Sequence, residues 1–231
     1  LIVPDSPTQR VGGAPLTEFA TVVHSVPMLS IDNTYNDDEI REWDARIRRG
    51  LNVGEPVRYV VELKVDGVAV SLRYEDGRFT QGATRGDGER GDEITANLRT
   101  VRDIPLVLAD DPPDLLEVRG EVYMTNAELS RLNELRKAND EKPFENPRNA
   151  TAGSLKLLDP RICGQRRLRF VSHGLGESSG LQDESYSSII GKLRQWGIPV
   201  TPSMEVFDSI EEVIAHARVW DHKRNSLDFQ T

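Results

Sequence analysis

Apolar and polar positions alternate at period two in Tyr59-Val60-Val61-Glu62-Leu63-Lys64, and again after Asp66-Gly67 in Val68-Ala69-Val70-Ser71-Leu72. In an extended chain Tyr59, Val61 and Leu63 share one face, while Val60, Glu62 and Lys64 share the other. The first face reads as core. The second delivers a carboxylate and an amine to the strand's end. Strands are expected near 58–64 and 68–75, joined as a hairpin through Asp66-Gly67. Glu75-Asp76-Gly77-Arg78 predicts a further tight turn into a strand near 78–84. Leu116 to Met124 alternates too, with Val118, Gly120 and Val122 on one face and Glu117, Arg119, Glu121 and Tyr123 on the other. If that strand neighbours the first, Glu121 is the best placed of its charges to join Lys64. Phe170 to Gly176 reads as another strand, with Val171 and His173 on one face.

Helical spacing marks other segments. Asn36-Asp37 caps a predicted helix to about Arg49, ended by Gly50, with Ile40, Trp43 and Ile47 as its apolar stripe. Asp92 to Arg99 predicts a short helix. A helix over 126–138 packs through Leu129, Leu132 and Leu135. Asp183 caps a helix over 184–195 that buries Ile189, Ile190 and Leu193. Ser209 opens a last helix to about Trp220, with Glu211 and Glu212 in the favourable first turn. Residues 1–27, with Pro4, Pro7, Pro15, Pro27 and Gly12-Gly13, read as an extended lead-in. Residues 107–114 and 177–183 read as loops, and Ile198-Pro199-Val200 as a short strand or turn. Strands adjacent in sequence and interspersed with helices predict an α+β fold with a mostly antiparallel sheet. No glycine fingerprint of a dinucleotide-binding parallel sheet opens a helix here.

Composition narrows the function classes. The chain has 231 residues, 37% of them hydrophobic and 29% charged, enough for one filled core or a large and a small domain. The net charge of -9 argues against a non-specific nucleic-acid coat and leaves room for a local basic patch. Cys163 is the single cysteine, which excludes an internal disulfide framework and a cysteine-based metal site and suits a cytoplasmic setting. No apolar run reaches membrane-spanning length. The start at Leu1-Ile2-Val3-Pro4 and the end at Leu227-Asp228-Phe229-Gln230-Thr231 suggest a piece of a longer protein.

The candidate chemistry centres on Lys64. A strand-end lysine is either a nucleophile or half of an ion pair with Glu62 or Asp66. As a nucleophile its amine must lose a proton, which neighbouring carboxylates oppose and a nearby cation or desolvation favours. Arg85 lies where a strand gives out into Gly86-Asp87-Gly88-Glu89-Arg90-Gly91, and reads as a solvated turn residue or an anion contact. Arg148 and Lys156 sit about two turns apart on a helix, as a phosphate-binding pair or as a solvated face. His173 is a rim group or a ring to stack on a planar ligand. His216 and His222 make no zinc pattern, and no residue is assigned as a metal ligand.

Glu62-Leu63-Lys64-Val65-Asp66-Gly67 resembles the Lys-x-Asp-Gly motif of covalent nucleotidyltransferases, and four longer blocks narrow the likeness. Pro27-Met28-Leu29-Ser30-Ile31-Asp32-Asn33, Ala83-Thr84-Arg85-Gly86-Asp87-Gly88, Val118-Arg119-Gly120-Glu121-Val122 and Asn146 to Leu155 are similar, in order, to the bacterial NAD-dependent DNA ligases. The resemblance implies the covalent nucleotidyltransferase (ATP-grasp-like) fold and an adenylation domain over 1–231, with a core from 28, trimmed at both ends. It implies that Lys64 takes AMP from NAD, with Leu29, Ser30, Glu62, Val65, Asp66, Arg85, Glu121, His173 and Arg224 around the nucleotide. Arg148 and Lys156 would contact DNA phosphates. Tyrosine is usual at the His173 position and arginine at Lys156. NAD and magnesium are the implied cofactors, and zinc belongs to parts outside this chain. The expected partners are nicked double-stranded DNA and an adenine nucleotide, without a membrane, for a monomer in the cytoplasm. Alone, the chain is expected to bind adenine nucleotides weakly and not to complete ligation. An ATP-using RNA ligase or capping enzyme, or a non-enzymatic nucleic-acid scaffold built on Arg148, Lys156 and Arg166-Arg167-Arg169, are the alternatives.

Overall fold

The structure, a computed structural model, describes residues 15–52, 57–181 and 185–231. In chain order its elements are β1 (Thr21–Val23), α1 (Asp37–Leu51), β2 (Tyr59–Val61), β3 (Val68–Glu75), β4 (Arg78–Thr84), β5 (Arg90–Asp92), α2 (Thr95–Leu98), β6 (Leu115–Tyr123), α3 (Asn126–Ala138), α4 (Pro147–Leu155), α5 (Pro160–Gly164), β7 (Arg169–Ser178), α6 (Tyr186–Gln195), β8 (Glu205–Phe207) and α7 (Ile210–Lys223). They divide into two units. The larger runs to Leu29 and takes in Val65–Val200 and Asp228–Gln230; the smaller comprises Ser30–Lys64 and Thr201–Leu227.

The larger unit is built on a four-stranded sheet in the order β4-β3-β6-β7, antiparallel throughout. The β3–β4 hairpin forms where expected. Asp76 and Gly77 both have positive φ (49° and 71°), which a two-residue type I′ turn requires. One sheet face is core: Val70, Leu72, Tyr74, Leu116, Val118 and Val122 are all 0% exposed. Each such side chain contributes about 1.5–3 kcal/mol by leaving water. The helix α4 packs on β3 and β6, and α2 on β4. Asn146 caps α4, accepting from the Asn149 N–H at 2.8 Å, and Pro147 occupies its first turn. Its inner face is small: Ala150, Thr151 and Ser154 are buried, and the two hydroxyls donate to the Pro147 and Ala150 carbonyls at 2.8 and 2.7 Å. Small, internally satisfied side chains let the helix lie close to the sheet and turn Arg148, Asn149 and Lys156 outward. Burial pushes the Cys163 thiol up, so this cysteine stays protonated and inert.

The expected hairpin between 58–64 and 68–75 does not form. The strand β2 ends at Val61 and pairs with β8, while β3 pairs with β4 and β6. Asp66 donates its N–H to the Gln230 carbonyl at 2.8 Å, and a Cβ on Gly67 would stand 2.3 Å from the Val122 carbonyl oxygen. Asp66-Gly67 is therefore the close-packed entry to β3. Period-two alternation announced both strands, although the first stops at Val61, three residues short of Lys64, and it carries no information about their partners.

Other boundaries shift for local reasons. Asp92 belongs to β5, so α2 starts at Thr95. The helix α1 runs past Gly50 and stops at Asn52, which takes the left-handed conformation (φ 52°). In α3 Leu135 is 50% exposed, and Glu128, held by Arg131 at 2.8 Å, is buried beside Leu132. Asp183 lies outside the described residues; Ser185 caps α6. Part of the lead-in is strand, since β1 pairs with β5. The short elements β1, β5, β8 and α5 carry too few residues for a period to show.

The smaller unit joins the β2–β8 ribbon to α1 and α7. Glu211 and Ser209 behave as read: the Ser209 side chain accepts from the Glu212 N–H, and Arg41 of α1 forks onto Glu211 of α7 at 2.7 and 2.9 Å. Trp43 lies 5.8 Å from the Tyr59 ring. The Tyr59 hydroxyl donates to buried Asp44, which Arg48 also contacts at 2.9 Å. Burial pushes the Asp44 carboxyl up, but the bonds from Tyr59 and Arg48 outweigh it and hold the group below its usual value. A depressed folded pKa stabilises the fold above the unfolded value of about 3.9 and loses that stabilisation as pH falls through the folded value. The melting temperature should therefore fall as pH drops below about 5, and fall less steeply in Asp44→Asn. Equal slopes in a melting series would show that this carboxylate does not contribute.

Candidate active site

The face of the sheet opposite the core carries charge. Glu117, Arg119 and Glu121 alternate along β6, and their register partners on β3 are Arg73, Ser71 and Ala69. Ala83 of β4 stands opposite Ser71. Small side chains thus lie next to the two charges nearest the middle of this face. Glu117 and Arg119 pair at 3.3 Å, both largely buried. The pair sits close to β7 because position 176 is glycine: a Cβ there would stand 2.2 Å from Glu117 Oε1. Arg119 also donates to the Pro27 carbonyl at 3.0 Å and to that of Val26. Its charge is spent on holding the segment that leads to Met28.

His173 reaches this face through a β-bulge. The β6–β7 register passes from Arg119↔Gly174 to Gly120↔Ser172, so His173 is the extra residue. Its Nε2 lies 3.9 Å from Glu121 Oε1, and its carbonyl accepts from the Tyr186 hydroxyl at 3.0 Å. Arg85 arrives from the other side. It is the first residue beyond β4, and its N–H donates to the Ala69 carbonyl at 3.0 Å. Ala69 is itself opposite Glu121. Adjacent strands thus bring Arg85, Glu121 and His173, three of the residues expected from sequence, to neighbouring positions.

The glycine loop after Arg85 is a built turn. The Asp87 carboxylate accepts the N–H groups of Arg90 and Glu89 at 2.8 and 2.9 Å, and these bonds hold its pKa below the usual range. Gly86 has φ 57°, and a Cβ on it would stand 1.8 Å from the Arg90 carbonyl oxygen.

The remaining expected residues are placed as follows. Asp66 binds Arg148 at 2.8 Å, and Lys156 binds Asp92 at 3.1 Å, both pairs being substantially exposed. Val65 is 4% exposed, whereas Leu29 is 83% exposed. Lys64, Glu62, Ser30 and Arg224 belong to the smaller unit. There Lys64 is exposed, Glu62 is half-buried, and Arg224 follows α7, 3.7 Å from Asp221. His24, buried against the base of the glycine loop, was not singled out in the sequence; the β-branched run Thr21-Val22-Val23 before it was the available signal.

An antiparallel α+β domain with helices over one sheet face and arginine, carboxylate and imidazole gathered on the other has the nucleotidyltransferase adenylation fold. More narrowly, residues 16–231 match the NAD-dependent DNA ligase adenylation domain, and the chain belongs to that family. It is 50% identical to a DNA ligase of Rubrobacter xylanophilus, over 100% of this chain and 34% of that protein. It is 45% identical to a DNA ligase of Oceanobacillus iheyensis over 100% of the chain and 34% of the relative, and 47% identical to one of Pseudomonas putida over 100% and 30%. The chain thus spans about a third of these relatives. No helix among the described residues is long and apolar enough to cross a membrane.

Proposed function

We propose that this chain carries the first step of NAD-dependent DNA ligation. In this reading the deprotonated Lys64 Nζ attacks the adenylyl phosphorus of NAD. A phosphorus–nitrogen bond forms, and the bond from that phosphorus to the bridging oxygen breaks. Nicotinamide mononucleotide leaves with the electron pair, the amine proton passes to solvent, and AMP stays on the lysine as a phosphoramidate. The AMP then moves to the 5′-phosphate at a nick, which the 3′-hydroxyl attacks as AMP departs.

The observation that carries the proposal is the set of Arg85, Glu121 and His173 on adjacent strands, in a chain of this family. Arg85 supplies a cationic fork for phosphate. Glu121 accepts from ribose hydroxyls. His173, next to Glu121, offers a ring face for adenine. Glu62 reads the adenine amino group, Leu29 and Ser30 line the base and ribose, and Val65 and Asp66 hold the backbone after Lys64. Arg224 adds a second cation. Among the described residues no three His, Cys, Asp or Glu side chains form a group able to hold a metal ion. Magnesium at a nucleotide site is held mostly by phosphate oxygens and water and needs only one or two protein carboxylates; when bound it would share the phosphate charge with Arg85.

Comparing donors tests the reading. NAD should load one AMP on the full-length protein and ATP none. Loading from ATP at an equal rate would place the chain with the ATP-using nucleotidyltransferases.

Arg148 and Lys156 are proposed to bind the DNA backbone. Their partners Asp66 and Asp92 hold them in exposed pairs, which are worth only about 0–1 kcal/mol and exchange readily for phosphate. Arg148→Ala and Lys156→Ala should each weaken nicked-duplex binding for all sequences alike and lower the salt-dependence slope by about 1. A slope unchanged in both, measured by fluorescence anisotropy against salt, would remove them from the interface.

A further inference from the structure

His24 precedes every element used so far in the proposed chemistry, yet it reaches the base of the glycine loop. It is 8% exposed. Its N–H donates to the Glu89 carbonyl at 2.9 Å, extending the β1–β5 pairing in which Val23 stands opposite Arg90. Its ring Nε2 lies 3.1 Å from the Thr84 carbonyl oxygen and 3.2 Å from that of Arg85. Both neighbours are acceptors, so this nitrogen carries the proton and shares it between two consecutive carbonyls where β4 ends. Gly91 makes the approach possible. A Cβ there would stand 1.7 Å from the Thr84 oxygen and 3.2 Å from His24 Nε2.

The imidazole completes a fixed frame around one residue. The Arg85 N–H is held by Ala69 and its carbonyl by the Gly88 N–H, each at 3.0 Å. The strand bearing the ring cannot slide, because Met28 donates to the Gly88 carbonyl at 2.8 Å and Arg119 grips the carbonyls of Val26 and Pro27. Two carbonyls bound to one ring nitrogen set the direction in which the chain leaves the sheet. That direction decides where the Arg85 guanidinium can reach.

We propose that His24 is a positioning residue for Arg85, fixing the backbone from which the guanidinium meets the nucleotide phosphate. This rests on the role given to Arg85 above. A displacement of about 1 Å at such a contact costs on the order of 100-fold in rate.

The test is single-turnover transfer of AMP from NAD to the full-length protein. His24→Leu should slow transfer about 100-fold. His24→Gln, whose amide nitrogen takes the place of Nε2, should recover most of that loss. In an Arg85→Ala background His24→Leu should cost less than about twofold, because residues that act as a unit are not additive. His24→Asn, with its amide at the place of the other ring nitrogen, should behave as His24→Leu and replaces it if the leucine variant does not fold. The inference fails if the loss is as large in the Arg85→Ala background. It also fails if His24→Gln is as slow as His24→Leu at an unchanged melting temperature. If Arg85→Ala alone transfers AMP at the wild-type rate, the role of Arg85 is wrong and the inference falls with it. A normal adduct on Lys64→Ala would instead overturn the proposed function itself.

Discussion

Lys64→Ala is expected to abolish AMP loading from NAD while leaving the melting temperature within a degree or two of wild type. No covalent intermediate forms without its nucleophile. Lys64 is exposed and three residues beyond the end of β2, so its truncation removes no core packing. Surface substitutions of this kind change stability by about 0.5 kcal/mol or less. Lys64→Arg separates charge from nucleophilicity. It keeps the cation, but a guanidinium does not lose its proton in proteins, and it too should show no adduct. Retained loading in either variant, at an intact melting temperature, would move the nucleophile elsewhere.

The second large effect is structural. Gly120→Ala should lower the melting temperature by several degrees. A Cβ at this position would stand 2.3 Å from the Val171 carbonyl oxygen and 2.5 Å from the Phe170 ring. Both belong to β7, at the register step that expels His173 as a bulge. Phe170 is 1% exposed and cannot swing aside without opening the core. Overpacking of this kind costs about 1–3 kcal/mol, and each kilocalorie lowers the midpoint by about 2–4 °C in a chain of this size. Glu121 follows directly in sequence, so AMP loading should fall as well. Gly191→Ala is the opposite control. This residue lies inside α6 with nothing within 4 Å of an added Cβ, and alanine there should stabilise by about 0.5–1 kcal/mol. Differential scanning calorimetry on the pair reads both signs. A Gly120→Ala protein as stable as wild type would show that β7 yields freely, and the bulge would lose its claim to hold His173.

The parts legible in advance were those with a strong local signal. Asp76-Gly77 announced its hairpin because few residues enter positive φ cheaply. Asn36 and Ser209 sit at helix starts, where a short polar side chain accepts the first free N–H groups. Partnership was not legible. Tyr59 to Val61 pairs with residues more than 140 positions away, and no periodicity encodes that distance. The candidate site divides along the same line. The approach of Glu121 to His173 depends on a bulge, and the approach of Arg85 to Glu121 depends on Ala69 lying between them in register. The residue types were readable, and the motif blocks named them. Their neighbourhood came only from the sheet. His24 escaped because the β-branched run before it marks a strand, while nothing in the side-chain pattern marks a buried ring bonded to main-chain carbonyls.

The central claim is that Lys64 carries AMP taken from NAD. Incubating the full-length protein with NAD, digesting it and sequencing the modified peptide by tandem mass spectrometry tests it most directly. The account predicts the mass of one AMP on the peptide containing Glu62-Leu63-Lys64-Val65, with the label fixed at Lys64 and free nicotinamide mononucleotide in equal amount. AMP on any other residue, or an NAD supply consumed without an adduct on this peptide, would contradict it.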